Sequence, residues 1–180
     1  TIASVRDANG CSNVGAGSAV ISLNTPITVT TQPANTTVCA GTVATMSVSA
    51  SGTGIAYQWF NASGAITGAT AATFTTTAAG TYYVVVTGTC NTITSGNAVV
   101  TVNPLPQGSL TGSTICAGGT GTLVYTSSVA GTGPYTLVYN NGTSNVTVNN
   151  VVSGVGFSVS PAATTTYTLV SVTDANGCVR

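Results

Sequence analysis

Four side chains carry charge, and only they could supply general acid–base chemistry: Arg6, Asp7, Asp174 and Arg180. Residues 8 to 173 contain no Asp, Glu, His, Lys or Arg. Proton transfer at neutral pH needs a titratable group beside the reacting atom, and the many Ser and Thr hydroxyls have no base to activate them. The sequence therefore predicts no enzyme and no cofactor. The remaining reactive groups are seven tyrosines and five cysteines, Cys11, Cys39, Cys90, Cys116 and Cys178. With no His and no C-x-x-C pair, zinc ligation is not expected. Each acidic residue opens a turn, Asp7-Ala8-Asn9-Gly10 or Asp174-Ala175-Asn176-Gly177. Their oxygens are of the kind that ligates calcium, yet neither copy has a second carboxylate. A turn held by the Asp side chain and closed by Gly explains the same residues.

The two turns belong to a duplication. SVRDANGC at Ser4–Cys11 and SVTDANGC at Ser171–Cys178 differ only at Arg6 and Thr173. GSAVISLN from Gly17 recurs as GNAVVTVN from Gly96, and Cys11 recurs as Cys90, both 79 positions on. TVCAG at Thr37 returns as TICAG at Thr114, Tyr57 (AYQWFNASG) as Tyr135 (PYTLVYNNG), and Thr81-Tyr82 as Thr166-Tyr167. Features repeating in a shared register mark an internal repeat rather than biased composition. The expected division is 1–24 as the C-terminal strands of an incomplete module, 25–104 as a module, and 105–180 as a module lacking its last strand. The connections Asn24-Thr25-Pro26 and Asn103-Pro104-Leu105-Pro106 are short and Pro-bearing, which predicts stiff joints.

The elements that must position these residues follow from composition. Thr fills a fifth of the chain, and charged residues only 2%. Thr and Val favour strands, Gly and Asn favour turns, and no window carries a helical apolar stripe. Strands are predicted near 27–31, 43–50, 55–61, 72–77, 81–88 and 96–103. Alternation turns Met46, Val48, Tyr57, Trp59, Tyr82, Val84, Val86, Ala98, Val100 and Val102 inward. The counterparts further on are Leu123, Tyr125, Tyr135, Leu137, Tyr139, Tyr167 and Leu169. The alternation breaks at Ser171, which predicts a bulge. Six or seven short strands of this kind make an all-β immunoglobulin-like sandwich, with Trp59 as a core pin between sheets rather than an exposed ligand platform.

Several function classes drop out. No run of about 18 apolar residues predicts membrane insertion. Two Arg and no Lys form no basic patch for nucleic acid or acidic lipid. AGGTG at 117–121 lacks the Lys and helix of a phosphate loop. A surface with so few charges is poorly soluble by itself, so hydroxyl hydration, glycans at the sequons Asn35, Asn61, Asn141 and Asn145, or burial in an assembly must compensate.

Cysteines in small β modules suggest disulfides in an oxidising compartment. Cys39 precedes the second strand of its module and Cys90 follows the penultimate one; Cys116 and Cys178 hold the same places in the next. The expected pairs are thus Cys39–Cys90 and Cys116–Cys178, each contributing about 4 kcal/mol by chain entropy. Cys11 is then expected to pair with a cysteine outside the sequence given.

The pattern TICAGGT…GTGPYT…TYTLVSVTDANGC resembles the immunoglobulin-like repeats of giant surface adhesins of Bacteroidota, including SprB-like repeats of gliding bacteria. Module 25–104, with TVCAG, YQWF and AGTYYVVV, resembles a related repeat without the Asp-Ala-Asn-Gly turn. The resemblance implies an exported, very long protein delivered by type IX secretion, serving as a stalk, filament or adhesive fibre at the cell surface. The expected function is structural: a repeat whose partners are neighbouring copies of itself, joined either as a covalent tandem array or by strand exchange, and a host or prey surface. In the second case residues 12–24 complete the open module of the next subunit. The alternatives are a module recognising a glycan or protein, and a carbohydrate-associated module of a secreted enzyme.

Overall fold

The computed structural model describes residues 2–15, 17–129 and 131–180, and among these it contains strands and turns but no helix. The chain opens with a hairpin, β1 (Ser4–Arg6) against β2 (Ser12–Val14), joined by the first Asp-Ala-Asn-Gly turn. The strand expected over 17–24 is not formed. This stretch makes no strand pairing with the described residues, and its apolar side chains Val20, Ile21 and Leu23 are 88%, 88% and 90% exposed.

Ten strands follow: β3 (Thr28–Thr31), β4 (Thr36–Cys39), β5 (Ala44–Ser47), β6 (Ser49–Ser51), β7 (Ala56–Asn61), β8 (Gly64–Ala65), β9 (Thr73–Thr76), β10 (Gly80–Thr87), β11 (Thr92–Thr94) and β12 (Ala98–Asn103). One layer is the sheet β4-β12-β10-β7-β8, with β11 continuing the β12 side of β10. The other is made by the pairs β3-β6 and β5-β9. Strand β4 was not foreseen. It is short and runs parallel to β12, with Val38 beside Val102 and Cys39 beside Asn103.

Alternation buries one face of each strand, as the period of two requires. Ile27, Ala44, Met46, Val48, Trp59, Tyr82, Val84, Val86, Ala98 and Val100 form one core. Trp59 is fully buried, stacks on Phe74 at 5.6 Å and donates its indole N–H to the Ala71 carbonyl. Ile27 closes one end, where Gly52 is obligatory: a Cβ there would lie 2.8 Å from Ile27 Cδ1, and its φ is +143°.

The last six strands build a second core. β13 (Gly108–Gly112), β14 (Gly121–Ser127) and β17 (Gly156–Val159) form one sheet; β16 (Asn145–Val151), β15 (Tyr135–Asn140) and β18 (Thr168–Thr173) form the other, with β15 central. Tyr125, Tyr135, Leu137, Val151 and Val172 are enclosed between them. The bulge is present. Val138 faces Ser171 but Tyr139 faces Leu169, so Val170 is the extra residue and is half exposed. The bulge resets the phase, which is how both Leu169 and Val172 reach the core.

Candidate functional sites: junction cysteines and an open sheet edge

The charged turns are structural. In the second copy Asp174 Oδ1 accepts the backbone N–H of Asn176 at 3.0 Å and of Cys178 at 2.9 Å. In the first, Asp7 Oδ1 accepts those of Asn9 and Cys11 at 3.0 and 2.9 Å. Gly10 and Gly177 have φ of +90° and +78°, a conformation that favours glycine. The side-chain-held turn expected from sequence accounts for both. The surroundings differ: Asp7 is exposed, whereas Asp174 is buried, and Asn176 Nδ2 donates to Thr132 Oγ1. Asp174 Oδ2 is enclosed with no hydrogen-bond partner among the described residues.

The cysteine pairing expected from sequence is not what the structure holds. Cys39 is bonded to Cys178, 139 positions away, while Cys90, Cys116 and Cys11 are free and exposed. The expected pairs Cys39–Cys90 and Cys116–Cys178 do not form because the two cysteines of a module sit at opposite poles. Cys39 ends β4, beside Asn103 and the exit to the next strands. Cys90 sits at the entry, where its Sγ donates to the Asn24 carbonyl at 3.5 Å. Cys178 likewise lies at the entry pole of its sandwich, in the turn after β18 whose Ala175 N–H donates to the Thr132 carbonyl. Cys116 precedes β14, at the far pole where β18 begins. The bond therefore crosses a junction: the exit-pole cysteine of one sandwich joins the entry-pole cysteine of the next.

The second site is an edge. In the 27–103 strands, β12 pairs with both Gly80–Tyr82 and Thr36–Cys39. The matching stretches further on, 165–167 and 113–116, are in no strand. Between them lies a groove of about 380 Å³, lined by Ser113, Ile115, Cys116, Leu123, Val159 and Tyr167 among others. Its floor is the core side chain Leu123, and its rims are the stretches 113–116 and 165–167, which belong to no strand. Both rims carry motifs that repeat in the sequence, TICAG from Thr114 and Thr166-Tyr167, but the groove between them was not foreseen.

Aromatic side chains are mostly enclosed. Phe60 and Tyr83 form a stacked pair at 5.1 Å, half-buried on the outer face of β7 and β10, which sequence reasoning missed. Of the sequon residues, Asn35 Oδ1 holds the Val99 N–H, Asn61 Oδ1 the Ser63 N–H, and Asn141 Oδ1 the N–H groups of Thr143 and Ser144; Asn145 Oδ1 accepts from Asn140 Nδ2. No helix among the described residues is long and apolar enough to cross a membrane.

Residues 26–104 match the family model described as "Ig-like domain CHU_C associated". No curated protein matches the chain. Similar solved structures include the titin fragment I67–I69 in an E-to-A variant (15% identity, 81% of this chain and 64% of that one, TM-score 0.48). Others are the titin domains Z1Z2 in complex with telethonin (16%, 85% and 89%, 0.43) and Sidekick-1 immunoglobulin domains 1–5 (14%, 87% and 36%, 0.41). Scores below 0.5 leave the fold to rest on the strand pairing itself and on the family match. On those grounds the chain is an all-β tandem of immunoglobulin-like sandwiches.

Proposed function

We propose that this chain is a structural repeat of an extracellular filament or adhesin stalk at the cell surface, with modules 25–104 and 105–180 and a partial module at 1–24, and that copies join by strand insertion. The observation that carries this is the pairing of an empty groove with a spare strand. Gly17–Asn24 (GSAVISLN) resembles the segment Gly96–Asn103 (GNAVVTVN), whose last six residues form β12. It lies exposed and unpaired, while the place β12 would occupy in the second sandwich is open. Carrying over the β12 register sets Ala19 opposite Tyr167, Val20 opposite Thr166 and Ile21 opposite Thr165. Leu23 then faces Ile115 and Asn24 faces Cys116. In β12 the counterparts of Ala19 and Ile21, Ala98 and Val100, are buried at 0% and 2% exposure. Enclosing Ile21 and Leu23 would each contribute about 1.5–3 kcal/mol, and main-chain pairing to both rims adds the specificity of strand addition.

The uncharged hydroxyl-rich surface suits such packing, since contacts made without ion pairs change little with salt. Cys11, exposed in its turn, would be joined to a cysteine of a further module in an oxidising compartment. Recognition of a host or prey surface would fall to the Phe60–Tyr83 pair, because Trp59 is enclosed.

Electron microscopy of the purified chain, together with its intact mass, tests this reading. Filaments built from a 17.5 kDa subunit are expected. Ile21→Asp, at an exposed position, should abolish them and leave the circular dichroism unchanged. Wild-type protein that stays monomeric at high concentration would falsify the proposal.

A further inference from the structure

The one disulfide present shows how a junction of this protein is made, and the free cysteines can be read against it. At the junction between the two sandwiches, Asn103 ends the last strand beside Cys39, and Cys39 is bonded to Cys178 at the entry of the next sandwich. At the entry of the first sandwich, Cys90 lies 3.5 Å from the carbonyl of Asn24. By the repeat, Asn24 corresponds to Asn103, Cys116 to Cys39, and Cys90 to Cys178. One contact of a junction, Asn24 with Cys90, is thus in place at one end of the copy, and an edge ending in Cys116 lies at the other.

We infer that Cys116 of one copy forms a disulfide with Cys90 of a second copy whose residues 17–24 fill the groove. The inference rests on the strand-insertion reading above and adds the covalent lock. Inserting Gly17–Asn24 in the β12 register sets Asn24 beside Cys116, as Asn103 is beside Cys39. Asn24 carries Cys90 with it, because the two already touch within the donor. Both sulfurs are exposed in the single copy, so nothing must unfold for them to meet. The strand directs the meeting, and the bond then makes it irreversible under oxidising conditions.

The step balances as a thiol–disulfide exchange with a small-molecule disulfide oxidant. The Cys116 thiolate attacks one sulfur of the oxidant and expels the other half as a thiolate. The Cys90 thiolate then attacks the Cys116 sulfur of that mixed disulfide and expels the second half. One protein S–S bond forms, and the oxidant's S–S bond is reduced. The two protons lost by the cysteines end on the two released thiols.

The test uses the whole chain incubated with oxidised glutathione, then alkylated and digested without reduction. A peptide linking Cys116 to Cys90 is expected, with a ladder of SDS-stable multimers that collapses on reduction. Cys116→Ser and Cys90→Ser should each remove the ladder but keep the filaments seen by microscopy, and a mixture of the two variants should stop at covalent dimers. Filaments in which Cys116 and Cys90 are both recovered alkylated, or in which Cys116 is linked to Cys11, overturn the lock alone. No filaments and no ladder overturn the strand insertion and the lock together.

Discussion

The two sandwiches share repeated sequence motifs but not the same set of strands: among the described residues the first holds ten, β3 to β12, and the second six, β13 to β18. In the first, β12 supplies a partner to the start of β10 and to β4, and both are regular strands. In the second, Thr165–Tyr167 and Ser113–Cys116 have similar sequences and equivalent positions, but no described strand lies between them and neither forms a strand. β18 accordingly begins at Thr168, while β10 begins at Gly80. Strand formation at this edge is thus set by a pairing partner rather than by local propensity, in line with the strong context dependence of β preference. The first sandwich also has the larger core, built around Trp59, whereas the second relies on tyrosines.

The largest way to break the comparison is to empty the first core. Trp59→Ala should cost about 3–5 kcal/mol, as for other buried aromatics. If the cores are independent, calorimetry will show one transition lowered and the other in place. A single transition that shifts as a whole would mean that the two unfold together.

A middle-sized effect sets the two copies of the Asp turn against each other. Asp174→Ala removes the acceptor of one buried and one part-buried amide bond and should cost about 1–3 kcal/mol. Asp7→Ala removes the same two bonds at an exposed site and should stay within about 0.5 kcal/mol. Equal losses in chemical denaturation would show that burial is not what separates them.

The smallest effect sharpens the account of the second core. The hydroxyl of the fully buried Tyr125 has no hydrogen-bond partner among the described residues. Tyr125→Phe should therefore be neutral or stabilising by about 1 kcal/mol. Burial pushes the ionisation of Tyr125 and Tyr139 above the ordinary tyrosine value of 10.0. The folded state then holds these protons more tightly than the unfolded state. Their contribution is complete below pH 10 and is lost as pH rises through the raised values. The urea midpoint of the second sandwich should follow that course and fall less steeply in Tyr125→Phe; an unchanged slope would count against burial of that hydroxyl.

Much of the fold was legible because a strand writes its burial into every second residue. Met46, Trp59, Val84 and Val100 were placed inward by alternation alone, and the broken phase at Ser171 located the bulge at Val170. β4 was not legible, since TTVC is short and its partner lies more than sixty residues on, at Val100–Asn103. The disulfide was misread for a related reason. Spacing within a module suggested Cys39–Cys90, but pairing depends on which pole each residue occupies, and that is fixed only when the strands are laid side by side. The exposed 17–24 segment shows the converse: its sequence resembles that of β12, yet it forms no strand with the described residues.

The Cys39–Cys178 bond has one consequence for mechanics. When the chain is pulled by its ends, tension passes from the N-terminal residues to Cys39, crosses the sulfurs and leaves at Cys178. Residues 40 to 177, nearly the whole of both cores, hang outside the load path and cannot be drawn out while the bond lasts. Reduction would release about 139 residues of slack, roughly 460–500 Å at full extension. A covalent array of such units, joined through their chain ends, would behave when oxidised as a nearly inextensible cable, and when reduced as a long, yielding spring.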